Sequence, residues 1–299
     1  MTRKAPAWLT EGQGHAPELS WSLATEAPLL ALQLARETGE VLAADQSGGI
    51  YLIDRAGKLA HLTRGQAALR ALAWSDTGGG GAALVGENSL YWFNRDLKFV
   101  GAVDLPARSV AVAVEHHGRY AAVSLSEGST LIFDCHLKLL RHFQTPQPFI
   151  ALEFLLVEQA IVGVAEYGLL CGHSFTGEQL WQEKLWANVG DMSLTLDGQT
   201  ILLACFAHGI QCHQASGLQI GSFQVGGTAS RVSASFLPGK ISIATLEKHF
   251  YRLGMEGDIE WQGDLPEEVH RLHTDPLGTG VICGFQSGRI VRLDWPAKR

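Results

Sequence analysis

Charge is scarce in this sequence: Asp, Glu, Lys and Arg make up only 18% of 299 residues, and their sum is −7. A chain with no basic excess lacks the phosphate attraction that supplies most nucleic-acid affinity, so nucleic acid is not an expected partner. Proline is sparse as well, at 10 residues, while apolar residues reach 46%. That balance excludes a proline-rich or highly charged disordered chain and predicts a well-packed core. No apolar run approaches the ~20 residues that a spanning helix needs. The opening residues, MTRKAPAW, lack the apolar core of a secretory leader. Membrane insertion is not expected, and the cytoplasm is the expected compartment. Cysteines number only five, at irregular spacings (Cys135, Cys171, Cys205, Cys212, Cys283). An odd, scattered set fits reduced core thiols better than a disulfide framework.

Familiar catalytic spacings are missing too. Gly278, Gly280 and Gly284 lie on a turn that runs into a strand, whereas a dinucleotide fingerprint must open a helix. There is no Gly-x-Ser-x-Gly elbow and no His-Glu-x-x-His helix. No cofactor is expected.

What the sequence does have is glycine, 34 residues of it, and a repeat. Residues 41–54, VLAADQSGGIYLID, align without a gap with residues 281–294, VICGFQSGRIVRLD. Steps of forty from Asp54 pass through Asn94, Asp134, Ser174, Gln214 and Gly254 to Asp294, mostly short polar or turn-forming types. Gly48, Asn88, Gly128, Gly168, His208, Lys248 and Gly288 mark one turn in each unit, and most are types that tolerate positive φ. Gly57, Leu97, Leu137, Gly177, Gly217 and Gly257 mark a second. Between the two turns the unit reads IYLI, LYWF, TLIF, LCGH, IQCH, FYRL and IVRL, apolar on both faces and therefore covered on both. The strand before it is equally apolar, and the one before that alternates, as in Leu32-Gln33-Leu34.

Four short strands per ~40 residues, with no helical spacing, is the pattern of a propeller blade. The expected fold is all-β: one seven-bladed β-propeller domain over residues 1–299, with four-stranded blades of about forty residues. Residues 1–18 form an N-terminal arm, 19–24 the outer strand of blade seven, and 29–299 blades one to seven. Naming strands a to d from the axis outward, the interval of forty leaves blade seven no outer strand of its own. Trp21 stands in phase with Trp181 and Trp261, so the N-terminal strand is expected to close the ring and remove an exposed edge.

The segments TGEQLW at 176–181, GDIEW at 257–261 and SGLQI at 216–220 resemble the Gly-x-x-x-Trp blade signature of pyrroloquinoline-quinone-type repeats. Length and sevenfold count are also similar to those of WD40-repeat propellers. No blade ends in Trp-Asp or opens on Gly-His, so the resemblance implies the fold and no activity.

Three groups of residues are candidates for chemistry. Cys171, His173, Cys205, His208, Cys212 and His213 have the types of a zinc site. Cys212 and His213, however, are neighbours on a strand and face opposite ways, while His173 and His213 are equivalents on separate blades. Two ligands at most converge where a closed site needs four, so no metal is expected. Cys135, His136, His116 and His117 fall in loop or strand-end phases and read as surface residues.

The second group lies on strand a. One phase reads Ala31, Ala71, Ala111, Ala151, Asp191, Arg231, Arg271, and two residues on, Gln33, Ala73, Ala113, Glu153, Ser193, Ser233, His273. Alanine gives way to charge in the last three blades, a change that the fold alone does not require. Arg231 and Arg271 suit an anion or a peptide carboxylate, since guanidinium groups grip carboxylates in two-pronged fashion. Equally, Asp191 and Glu153 could neutralise the arginines in an internal ion-pair network.

The third group is aromatic: Tyr167, Trp186, Phe206 and Phe285, with Phe149 and His208, on the b-to-c and d-to-a connections. Aromatics beside arginine are enriched where proteins recognise partners. The leading functional expectation is a non-enzymatic platform that binds a protein or peptide through this face. The alternative is an enzyme at the channel mouth, with Arg231, Arg271 and His273 holding and protonating a small anion.

Overall fold

The computed structural model describes residues 6–64, 68–156, 158–195, 197–236 and 239–296. The first five residues of the expected arm and the last three of the expected domain lie outside the described residues. Seven antiparallel sheets follow one another along the chain. Their innermost strands are Leu29–Leu34, Leu69–Trp74, Ser109–Val114, Ala151–Phe154, Val189–Leu194, Ala229–Ala234 and Val269–Thr274. The chain is thus an all-β seven-bladed propeller, with four-stranded blades apart from one added strand described below.

Burial follows the sequence pattern strand by strand. In blade one, the b strand Val41–Asp45 and the c strand Ile50–Ile53 are buried at every position, because a neighbouring blade covers each face. The core therefore lies between blades. Leu42, Ala44 and Leu52 of blade one pack on Leu72, Trp74 and Phe93 of blade two, where Trp74 and Phe93 stack with centroids 5.5 Å apart.

The second turn of each unit is left-handed. Gly57, Gly177, Gly217 and Gly257 have φ between +81° and +92°, and Leu97 and Leu137 adopt +59° and +61° at the same position. The left-handed conformation costs a leucine roughly 1–2 kcal/mol. Leu97 is only 1% exposed, and burial of a leucine returns about 1.5–3 kcal/mol. At the first turn Asn88 and His208 are exceptions: Gly86 and Gly209 take the positive φ instead.

Closure follows the register read from the sequence. Glu18–Ala24 pairs antiparallel with Arg289–Asp294, Leu19 opposite Leu293 and Leu23 opposite Ile290. The arm does more than lead into that strand. Gln13 and Gly14 pair with Gln262 and Trp261, adding a fifth strand to blade six. A single helical turn, Ala7–Thr10, sets Leu9 among Phe250, Trp261 and Trp295. Trp295 Nε1 donates to the His15 carbonyl at 2.8 Å. The arm is therefore fastened to blades six and seven together.

The Gly-x-x-x-Trp signature has a physical cause here. A β-carbon added at Gly57 would lie 2.4 Å from the Trp21 ring, and one at Gly217 would lie 2.5 Å from Trp181. The tryptophan on the outer strand of one blade thus rests on the turn glycine of the next.

Candidate functional site

The a strands enclose a central cavity of about 450 Å³, lined by both phases that begin at Ala31 and Gln33. Because the strands are antiparallel, the d-to-a and b-to-c connections share one mouth, and the a-to-b turns surround the other. The charges divide between these ends. Asp191, Arg231 and Arg271 stand toward the d-to-a mouth. Glu153 and His273 lie two positions further along, roughly 7 Å deeper at about 3.3 Å per residue.

At the d-to-a end, six of the seven a strands carry a bulge just before the channel position, as between Val189 and Asp191, Ala229 and Arg231, and Val269 and Arg271. A bulge releases a backbone carbonyl from the ladder. The arginines satisfy those carbonyls: Arg231 Nε donates to His270 O at 2.8 Å, and its Nη1 to Ser230 O at 2.7 Å and Gly190 O at 3.2 Å. Arg271 Nη1 donates to the same His270 O, also at 2.8 Å. Asp191 accepts from the backbone N–H groups of Met192 and Val232 at 3.0 and 3.2 Å. Among the described residues, no carboxylate comes within 4.0 Å of either arginine. The internal ion-pair network suggested by the sequence is replaced by bonds to bulge carbonyls. Burial and the nearby Arg231 charge depress the pKa of Arg271, while burial raises that of Asp191 against the pull of Arg231.

The change from alanine to polar residues thereby gains a structural role. Ser193 Oγ accepts from Ala234 N at 3.2 Å, Ser233 Oγ from Thr274 N at 2.8 Å, and His273 Nε2 donates to Leu32 O at 2.8 Å. Each of these bonds ties one blade to the main chain of the next. Burial holds His273 down to about 4. Burial thus disfavours its charged form, and its Nε2 is engaged by the Leu32 carbonyl.

The a-to-b end holds a cluster that the sequence reading missed. Arg36 Nε donates to Asp76 at 2.7 Å, Asp76 bonds His116 Nδ1, and His116 Nε2 lies 3.1 Å from Phe154 O. These residues come from blades one to four in succession. His116, expected at the surface, is 6% exposed, whereas its neighbour His117 is exposed as expected. The signal was available: Arg36, Asp76 and His116 are spaced by forty, with opposite charges at one phase. Burial opposes ionisation of Asp76, yet the His116 hydrogen bond and Arg36 outweigh it and hold the carboxyl at about 2.

Glu153 faces the cavity beside this cluster and accepts no hydrogen bond among the described residues. Burial pushes its carboxyl up to about 7, with Arg36 opposing and Asp191 adding to the rise. An acid whose folded pKa lies above its unfolded value of ~4.3 loses stability as pH climbs between the two. Glu153→Gln is therefore expected to stabilise the protein at pH 8, by roughly 1–2 kcal/mol after allowance for channel water, and to change little at pH 4. Urea denaturation at the two pH values measures this, and an equal effect at both would refute it.

The aromatic candidates separate by exposure. Trp186 is 70% exposed with Lys184 Nζ 4.0 Å from its ring centre, and Tyr167 is 47% exposed. Phe206 is half-buried over Gly190, where a β-carbon would lie 2.8 Å from its ring. Phe285 and Phe149 are wholly buried. Phe285 ends a b strand and packs with Val269 and Val291, so it is core and not a contact residue. Phe149 packs against the backbone of Gly163.

The cysteine and histidine group disperses: His208 is exposed, and the others are buried separately. His173 stacks on Phe143 at 4.0 Å, and His213 Nδ1 lies 2.8 Å from Gly217 O. Cys171, Cys205 and Cys212 are buried free thiols. Among the described residues, no three His, Cys, Asp or Glu side chains are grouped to hold a metal ion. No described helix is long and apolar enough to cross a membrane.

No protein-family model matches the chain, and no curated protein matches it in sequence. Among solved structures it is similar to the β-propeller domain of Cps50 (Swd1) from Myceliophteria thermophila. Identity is 15%, with 93% of this chain and 99% of that one covered, at a TM-score of 0.80. At that identity the likeness is one of fold: a seven-bladed β-propeller.

Proposed function

We propose that the protein is a non-enzymatic binding platform that holds a protein or peptide against its d-to-a face. The observation that carries this reading is Trp186, a large aromatic left 70% exposed on a connecting loop, on the face where the arginines stand at the channel mouth. Exposed aromatics beside arginine are the side chains that dominate binding energy at protein interfaces. The fold supports the reading by analogy, since propellers commonly serve as interaction scaffolds. Five free cysteines suit a reducing compartment, and we place the protein in the cytoplasm on that ground.

Affinity capture from the native cell followed by mass spectrometry identifies the partner. Trp186→Ala is then expected to weaken its binding by tenfold or more, with the melting temperature held within about 2 °C because the side chain contributes little to the core. Phe206→Ala is expected to weaken binding too, at some cost in stability from its packing over Gly190. Unchanged affinity in both variants would place the binding surface elsewhere.

A further inference from the structure

Arg231 and Arg271 are held in an unusual way for two like charges. Both guanidinium groups donate to one oxygen, His270 O, each at 2.8 Å, so the donating nitrogens lie within twice that distance of each other. No carboxylate lies close enough to pair with either among the described residues. Their carbonyl bonds consume Arg231 Nε and Nη1 and one hydrogen of Arg271 Nη1. Arg231 Nη2 and Arg271 Nε and Nη2 meet no protein acceptor among the described residues, and none of these nitrogens is sealed from the cavity. The result is a pair of guanidinium groups fixed by backbone carbonyls at the wall of the cavity, with N–H donors left unused by the protein and not fully buried. Such donors are pre-organised for a planar anion.

We propose that Arg231 and Arg271 form a carboxylate site, filled by the C-terminal or side-chain carboxylate of a peptide entering from the d-to-a mouth. This rests on the platform reading for what carries the carboxylate, and not for the site itself. A single negative charge fits better than a phosphate dianion. Asp191 stands beside the arginines, and Glu153 lies further along the same cavity, so a doubly charged group would meet acidic side chains. The interior is a pocket of about 450 Å³, room for a residue or two of chain and not for a folded element.

The test uses the whole protein and defined probes: N-acetyl-Gly-Gly as free acid, the same compound as its amide, and inorganic phosphate, each titrated calorimetrically at low ionic strength. The free acid is expected to bind at least tenfold more tightly than the amide and more tightly than phosphate. Arg271→Gln, which gives up one carbonyl bond where Arg231 makes three, is expected to weaken the acid by tenfold or more. Equal binding of acid and amide, tighter binding of phosphate, or no binding of the acid to the unaltered protein would each overturn the site, without reliance on a variant that has to fold. Acid binding with no partner recovered would sink the platform reading alone. A partner held through Trp186 with no acid binding would sink this proposal alone.

Discussion

Removal of residues 1–24 is expected to lower the melting temperature by more than about 10 °C or to leave the protein insoluble. The deletion takes away the strand that pairs with Arg289–Asp294, and with it Leu19, Trp21 and Leu23 on its inward face. It also removes Leu9, 1% exposed among Phe250, Trp261 and Trp295, and the carbonyl that Trp295 Nε1 uses. Each large apolar side chain buried is worth about 1.5–3 kcal/mol, and domains of this kind are stable by only ~5–15 kcal/mol. The blade-seven edge left open would expose a row of unpaired N–H and C=O groups, a template for aggregation. Deletion of residues 1–12 serves as the graded control. It loses Leu9 but keeps the closing strand, and is expected to cost only a few kcal/mol. Calorimetry and size-exclusion chromatography read both variants. A monomeric 1–24 deletion with an unchanged melting temperature would show that the strand does not close the ring.

Asp76→Ala is expected to destabilise the protein by about 3–5 kcal/mol at pH 7, the usual consequence of stranding a buried charge. Asp76 is 7% exposed and bonds both Arg36 and His116, so its loss leaves the Arg36 guanidinium without its carboxylate and His116 Nδ1 without its partner, His116 keeping only its contact with Phe154 O. Its low pKa also fixes a pH window. A carboxyl held at about 2 when folded, against ~3.9 unfolded, contributes stability that is complete above pH 4 and disappears as pH falls toward 2. That contribution is about 2–3 kcal/mol by linkage. Denaturant titrations between pH 7 and 2 should therefore show the unaltered protein losing stability most steeply below pH 4, with the gap to Asp76→Ala narrowing across that range. A gap that stays constant to pH 2 would mean that the cluster is not what holds the carboxyl ionised.

The two predictions differ in how far the sequence anticipated them. The closing strand was legible because Trp21 shares the phase of Trp181 and Trp261, and the interval of forty ran out before blade seven had an outer strand. The fifth strand on blade six was not: Gln13 and Gly14 carry no pattern of their own, and they pair only because the arm has to cross blade six to reach blade seven. The Arg36, Asp76 and His116 cluster sat in the repeat, yet its positions belong to turns. A turn position is ordinarily exposed, and its side chains meet only because neighbouring a-to-b turns converge at the channel. Phe285 misled for the opposite reason. It stands at a strand end next to a loop, but the adjoining blade covers that end completely.

The sequence by itself determined the number of blades, their strand order, the left-handed turns and the closure of the ring. Each of those follows from features local to one unit, a strand's two-residue alternation or a glycine at a turn, counted at a fixed interval. It also identified the two phases that line the channel, since alternation decides which side of a strand faces the axis. Only the tertiary structure decided what the channel charges touch. Bulges in the inner strands free carbonyls that no repeat pattern announces, and Arg231 and Arg271 turn to those carbonyls in preference to Asp191 and Glu153. Pairing across blades depends on ångström-scale placement of segments forty residues apart, and that placement is set by how the blades pack around the axis.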